Sequence, residues 1–457
     1  YLKIRQKLFN LSCINFCVRN FMKLFKSLLI APAALGLMSP LAVSATETNL
    51  NDISNYSDVE TIDFANSFGK GDSNEKQLLA GGEGLVDRDS YSHDGGFSDT
   101  TTLDGKAIFT MGALDYDDTT VTHSEAVQAY YSYTMNLNTS FTGDDNLYVR
   151  IKTGNSGDWT TSKTYGGYLS SSKGNGDSLK VDKIWYEFPV GERNTVWVGP
   201  KIENYYMHGT TPSIYKPVTK QFTLGGNGNA YGASTDTGAG WAYKADNGFA
   251  ISSNIGTKSS SSCYDTVDPC GTDKTKSYVN SGLLTDETKT SWATQVGYTK
   301  PRYSASAIVN VKYNGWSDSY YKAGDINGDA TSTDSYTAIG LRGWWRPENT
   351  GTATPSVSVG YDTTEYDASA GQENADAWFV GLNWQDIFTP DDRIGVAFGQ
   401  PTKNENSTVD PFAYEVYYSY KPNDSVTITP TIFGGSDRNG TTAGDVSGAV
   451  IETTFKF

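Results

Sequence analysis

The stretch Ala449-Val450-Ile451-Glu452-Thr453-Thr454-Phe455-Lys456-Phe457 decides the fold class. Side chains of an extended chain alternate between two faces. Ala449, Ile451, Thr453, Phe455 and Phe457 therefore share one side, and Val450, Glu452, Thr454 and Lys456 the other. The first side is largely apolar and the second mostly polar. The same division recurs where Tyr303, Ala305, Ala307, Val309, Val311 and Tyr313 stand against Ser304, Ser306, Asn310 and Lys312. Aromatic rings bracket further rows of this kind, Trp378-Val380-Leu382-Trp384 and Trp292-Thr294-Val296-Tyr298. Rings at both ends of an alternating segment suit the two headgroup levels of a membrane barrel.

A soluble β-sandwich also alternates, but its inner faces are rich in Val, Ile and Leu. Here many apolar faces are made of Ala, Gly, Thr and Tyr, which hydrocarbon tolerates without interdigitation. The connections also alternate in length. Short links occur at Lys244 to Gly248, Lys300 to Arg302 and Lys421 to Asp424, with turn-forming residues. Long polar ones run from Gly154 to Asp177, Lys201 to Gly238, Thr257 to Thr290 and Asn314 to Asp334. This is the asymmetry of outer-membrane barrels, with short turns on one side and long loops on the other. The strand count comes to about sixteen or seventeen; because bacterial barrels close with even numbers, we expect a sixteen-stranded antiparallel transmembrane barrel. Such a barrel encloses water. The chain stops on this last strand at Phe457, which must pair with the first, near Leu103 to Met111, since an open edge cannot be satisfied in lipid.

Bulk composition agrees. The chain has 457 residues, a mean hydropathy of -0.47, 47 Gly and 30 Tyr. Low hydropathy fits a barrel, in which only alternate residues meet lipid. Beyond the N-terminal region no apolar run is long enough for a membrane helix of about 20 residues. The net charge of -16 argues against a nucleic-acid partner.

From Met22 the chain reads as an export address. Lys23 and Lys26 form a basic region, Leu28 to Leu37 an apolar one, and Val43-Ser44-Ala45 a cleavage site. We read 1–21 as upstream translation, with a fragment of a longer protein as the alternative, and 22–45 as a signal peptide. Residues 46–96 read as a flexible periplasmic extension and 97–457 as the barrel. Of four cysteines, Cys13 and Cys17 precede the cleavage site. Cys263 and Cys270 are expected to form one disulfide, with two free thiols as the alternative.

The stretches Ala377-Trp378-Phe379-Val380-Gly381-Leu382-Asn383-Trp384 and Ile394-Gly395-Val396-Ala397-Phe398-Gly399-Gln400-Pro401 resemble the cyanobacterial iron-uptake porins of the OprB-type, carbohydrate-selective porin family. Tyr414-Glu415-Val416-Tyr417-Tyr418-Ser419-Tyr420 and Val426-Thr427-Ile428-Thr429-Pro430 share that resemblance. It implies a sixteen-stranded diffusion pore in the outer membrane, trimeric, passing inorganic ions, iron species or sugars. Members commonly carry a surface-layer-homology domain after the leader. Tyr56-Ser57-Asp58-Val59 looks like its opening, but the rest of that motif is absent.

If the apolar face meets lipid, the opposite one lines the lumen. Lys106, Arg150, Lys152, Lys183 and Arg342 then point inward, with Glu187 and Glu415 as acidic counterparts. Such a wall either sets ion selectivity or simply keeps the lumen wet. The connection from Lys201 to Gly238, carrying Lys201, Glu203, His208, Lys216 and Lys220, is longer than a hairpin needs. It folds inward as a constriction, stays outside, or forms two short strands. The segments around Asp318, Asp325, Asp329 and Asp334, and around Asp362, Glu365, Asp367, Glu373 and Asp376, read as acidic loops at the mouth. Asp325-Ile326-Asn327-Gly328-Asp329 spaces its oxygens like a calcium loop, but Ala330 and Tyr336 stand where Gly and Glu are needed. A solvated turn is expected there, and no metal, cofactor or catalytic site. Phosphate-binding loops and His-Glu-x-x-His are missing, although His123 and His208 leave a hydrolase barrel as one alternative and a blocked structural or adhesive barrel as another.

Overall fold

The computed structural model describes residues 100–116, 125–161, 166–226, 228–231, 236–257, 289–313, 316, 335–366, 373–437 and 445–457. The expected leader and extension, with Tyr56 to Val59, and His123, Cys263, Cys270 and the Asp325 to Asp329 stretch lie outside them.

The first half of the wall is β1 (Thr101–Tyr116), β2 (Gln128–Thr139), β3 (Asn146–Gly154), β4 (Lys180–Val190), β5 (Asn194–Ile202), β6 (Asp236–Lys244), β7 (Phe249–Thr257) and β8 (Thr290–Lys300). The second is β9 (Tyr303–Tyr313), β10 (Ser335–Trp345), β11 (Ser356–Tyr366), β12 (Asn374–Gln385), β13 (Arg393–Asn404), β14 (Phe412–Asn423), β15 (Val426–Ser436) and β16 (Asp445–Lys456). Each strand pairs with its neighbours in sequence, and β1 pairs with β16, so the sheet is a closed barrel of sixteen strands as the alternation predicted. Closure leaves no unpaired edge in the hydrocarbon.

The closing register runs from Lys106 opposite Lys456 to Tyr116 opposite Val446. Beyond it, Gly105 and Phe457 exchange both backbone hydrogen bonds, at 3.0 and 3.1 Å. A side chain at Gly105 would stand 2.7 Å from the Phe457 ring and 2.5 Å from the Thr134 carbonyl, which is why glycine occupies that position.

Burial follows the alternation. Phe109, Met111, Val309, Leu341, Val416, Ile432 and Ile451 are exposed on the outer face. Their chain neighbours Thr110, Asn310, Arg342, Glu415 and Glu452 are buried on the inner one. An apolar outer surface on a β-barrel is stable against lipid, not water.

Aspartates organise two of the short turns. Buried Asp145 accepts the N–H groups of Phe141 and Thr142 and the hydroxyls of Ser140, Thr142 and Tyr186. Buried Asp392 accepts the N–H groups of Ile387, Phe388 and Thr389 and the Tyr418 hydroxyl. Burial pushes both carboxyls up, but these donors outweigh it and hold each below its ordinary value.

Candidate functional site

The β5–β6 connection does fold into the barrel, and it does so in two passes along the inner wall. β5 ends at Ile202, so Lys201 lies in the strand, where its Nζ donates to the Val181 carbonyl. The connection begins with a 3-10 turn, Asn204–Met207, whose Tyr205, Tyr206 and Met207 pack with Tyr148, Trp185 and Trp197 from the wall.

The outgoing pass then steps from strand to strand through polar rungs. Gly209 N–H donates to Ser252 of β7, and Thr210 N–H to Gln295 of β8. Trp344 of β10 donates to the Thr211 carbonyl. Ile214 N–H reaches Ser358 of β11, and Lys216 N–H reaches Asn383 of β12. The far end is held by Glu415 of β14, whose carboxylate accepts from Tyr215 Oη (2.8 Å), Val218 N (3.2 Å), Thr219 N (2.8 Å) and Thr219 Oγ1 (2.6 Å).

The return pass runs back over β10, β11, β9 and β8. Arg342 Nε donates to the Leu224 carbonyl, and its Nη2 meets Asp362 Oδ2 at 2.7 Å. The ring of Tyr231 lies 4.5 Å beneath the same guanidinium. Lys312 Nζ donates to the Asn229 carbonyl and Asn310 Nδ2 to that of Ala230. Gly225 and Gly226, both at positive φ, approach the wall closely: a Cβ would stand 2.6 Å from Arg342 Cδ at the first and 2.7 Å from Phe379 Cβ at the second.

A second inward segment, the β3–β4 connection, meets the first. Leu169 and Thr219 form an antiparallel bridge, Lys220 N–H donates to the Tyr168 carbonyl, and Ser171 Oγ reaches Glu452 of β16 at 2.5 Å. Trp159 and Leu169 join Tyr215, Val218 and Phe222 over Leu114, Phe379, Tyr417, Phe433 and Val450 of the wall. The two connections thus form one packed body across part of the lumen.

The sequence-predicted residues fall into distinct surroundings. Lys183 is buried and pairs with Glu203, while the Tyr205 and Tyr206 rings lie 5.6 and 5.3 Å from its Nζ. Arg150 stands opposite Lys183 in the β3–β4 register, yet its guanidinium lies 5.7 Å from the Tyr148 and Tyr206 rings and its Nε donates to Asn136. Lys152 is buried on the same face of β3. Glu187 accepts from the Trp197 indole. Lys106, Lys201, Lys216 and Lys220 are partly exposed. His208 is buried against Tyr231, and both ring nitrogens are without a hydrogen-bond partner among the described residues.

One expectation is corrected: Asp362 is not in an acidic mouth loop but in β11, buried beside Arg342. Glu365 and Asp376 are also strand residues. Sequence reasoning missed Asp362 as an inner charge; it placed Lys312 and Glu452 on the polar face without naming them among the pore-lining charges. It also missed that the inner wall is apolar where the connections dock, at Ile308, Phe379 and Phe433.

A family model described as carbohydrate-selective porin, OprB family, matches residues 61–434. No curated protein matches the chain. Among solved structures, the high-pH structure of Pseudomonas putida OprB aligns with TM-score 0.55 at 11% identity, covering 78% of this chain and 94% of that one. A loop-deletion mutant of OmpT, an outer membrane protein of Vibrio cholerae, gives 0.48 at 11% identity, covering 78% and 99%. A mutant Rh. blastica porin gives 0.46 at 10% identity, covering 78% and 100%.

Proposed function

The chain belongs to the OprB family of carbohydrate-selective porins, and on that premise we propose that it passes small hydrophilic solutes passively, sugars first among them, with inorganic ions and iron species as further cargo. An outer-membrane porin performs no bond chemistry; it selects by the radius and lining of its narrowest point. The observation that carries this reading is the doubled inner connection held to the wall by polar rungs from Ser252 to Glu415. It narrows a barrel that would otherwise be wide, and it does so with hydroxyl, amide and charged groups.

Lys106, Arg150, Lys152, Lys183, Glu187, Arg342 and Glu415 are the wall residues of this reading. Glu203, Lys216 and Lys220 stand on the constricting connection, with Lys201 at its root. Lys183, Arg342 and Glu415 act by holding that connection in place rather than by facing solute. The protein is read as a homotrimer in the outer membrane, exported by its leader, as the family resemblance implies, with lipid as its other partner. Cys263 and Cys270 are proposed to close a small loop.

Swelling of liposomes containing the purified protein in mono-, di- and trisaccharides tests the reading. Swelling that slows with solute size supports it. No swelling, and no conductance steps in planar bilayers, overturns it in favour of a blocked structural barrel.

A further inference from the structure

We propose that Glu415 is a positioning residue for the constriction: its carboxylate is the latch that holds the inner end of the β5–β6 connection, and through it the β3–β4 connection, against the wall. This rests on the channel reading, but its test does not depend on it.

The argument begins with valence. A carboxylate has about four lone-pair positions and no donor when ionised. At Glu415 Oε1 accepts from Tyr215 Oη and Val218 N, and Oε2 from Thr219 N and Thr219 Oγ1. All the donors come from a five-residue stretch of the connection, 215–219, about 200 positions away in sequence. The side chain is fully buried. Other rungs of the outgoing pass are neutral: Ser252, Ser358 and Asn383 each accept one backbone N–H, and Gln295 exchanges two bonds with the Thr210 backbone. Hydrogen bonds to a charged group are roughly twice as strong as neutral ones. The outgoing pass is thus held by a charged group where the connection turns back.

The same residues also carry the second connection. Thr219 forms the bridge to Leu169, and Val218 O accepts from Ser170 N. Releasing 215–219 therefore frees both connections at their junction, and the apolar contacts of Tyr215, Val218 and Phe222 slide with them. Glu415 thereby sets the size limit of the passage without touching solute.

The test compares wild type with Glu415→Gln, which keeps the shape but cannot accept from all the donors. Glu348→Gln at an exposed short turn is the control. Folding is checked by heat-modifiable electrophoretic mobility. Hydrogen exchange of residues 209–231 should rise about tenfold in Glu415→Gln, equivalent to about 1.4 kcal/mol. Open-channel noise should increase, and the largest sugar admitted should grow. If Glu415→Gln does not fold, Tyr215→Phe and Thr219→Val each delete a donor from the connection and should shift the same readouts in smaller steps. Folded variants with wild-type exchange, noise and size limit overturn the latch. A non-conducting wild type overturns the channel reading alone, since the exchange measurement still decides the latch.

Discussion

Leu169 and Thr219 pair in an antiparallel bridge, flanked by bonds from Ser170 N to Val218 O (2.8 Å) and from Lys220 N to Tyr168 O (2.7 Å). Two connections distant in sequence are thereby one structural body. Ser170→Pro removes a donor from this short ladder, because proline has no N–H. We expect the barrel to form normally and the sugar exclusion limit to rise. Swelling rates with di- and trisaccharides check this, and unchanged rates in the folded variant would show that the bridge does not shape the passage.

Arg342 and Asp362 form a buried pair at 2.7 Å, and Arg342 also donates to the carbonyls of Leu224, Leu341 and Tyr361. Arg342→Met leaves Asp362 as an uncompensated charge, with an expected loss of about 3–5 kcal/mol. Arg342→Met combined with Asp362→Leu should recover much of that loss. Urea unfolding from vesicles, followed by tryptophan fluorescence, measures both. A single variant as stable as wild type refutes the assignment.

The barrel was legible because lipid imposes a strict period of two, visible from Ala449 to Phe457 and from Tyr303 to Tyr313. Strand number followed from turn chemistry, as at Pro301-Arg302 and Asn423-Asp424. The inner architecture was not legible to that degree. Length marked the segment from Lys201 to Gly238 as unusual, but its path depends on rungs such as Ser358 and Asn383, each of which looks in sequence like any polar lumen residue. Asp362 was misplaced because its strand ends in Thr363-Thr364-Glu365-Tyr366, where polar residues on both faces hide the alternation. The role of Glu415 became visible only through Thr219, which is remote in sequence and adjacent in space.

Asp392 sets an acid limit on the short-turn side. Its three backbone donors hold its folded-state value below the ordinary carboxylate value of about 3.9. A depressed value contributes stability that is fully present above the unfolded value and is lost as pH falls through the folded one. Stability of this turn should be flat from about pH 7 to pH 5 and drop below about pH 4. Asp392→Asn should cost about 1–3 kcal/mol at neutral pH and flatten that acid limb. Hydrogen exchange of residues 386–392 across the pH range, corrected for intrinsic rates, reads both effects; an acid limb unchanged in Asp392→Asn rejects the assignment.

If the barrel conducts ions as proposed, charge compensation inside it predicts weak ion selectivity. Lys183 pairs with Glu203, Arg342 with Asp362, and Lys173 of the β3–β4 connection with Asp182 at 2.8 Å, so these basic residues do not act as isolated charges. Asp104, beside Lys106 on β1, is held by the Asn136 and Asn138 amides, and Arg150 lies over aromatic rings. Lys106, Lys216 and Lys220 form the partly exposed basic set. Its field is screened over about 8 Å at physiological salt. A salt gradient should therefore give a small reversal potential that shrinks as total salt rises. Lys106→Glu should move it toward cations, because the substitution changes the wall by two charges. A strong cation preference in wild type would mean that charges other than these govern passage.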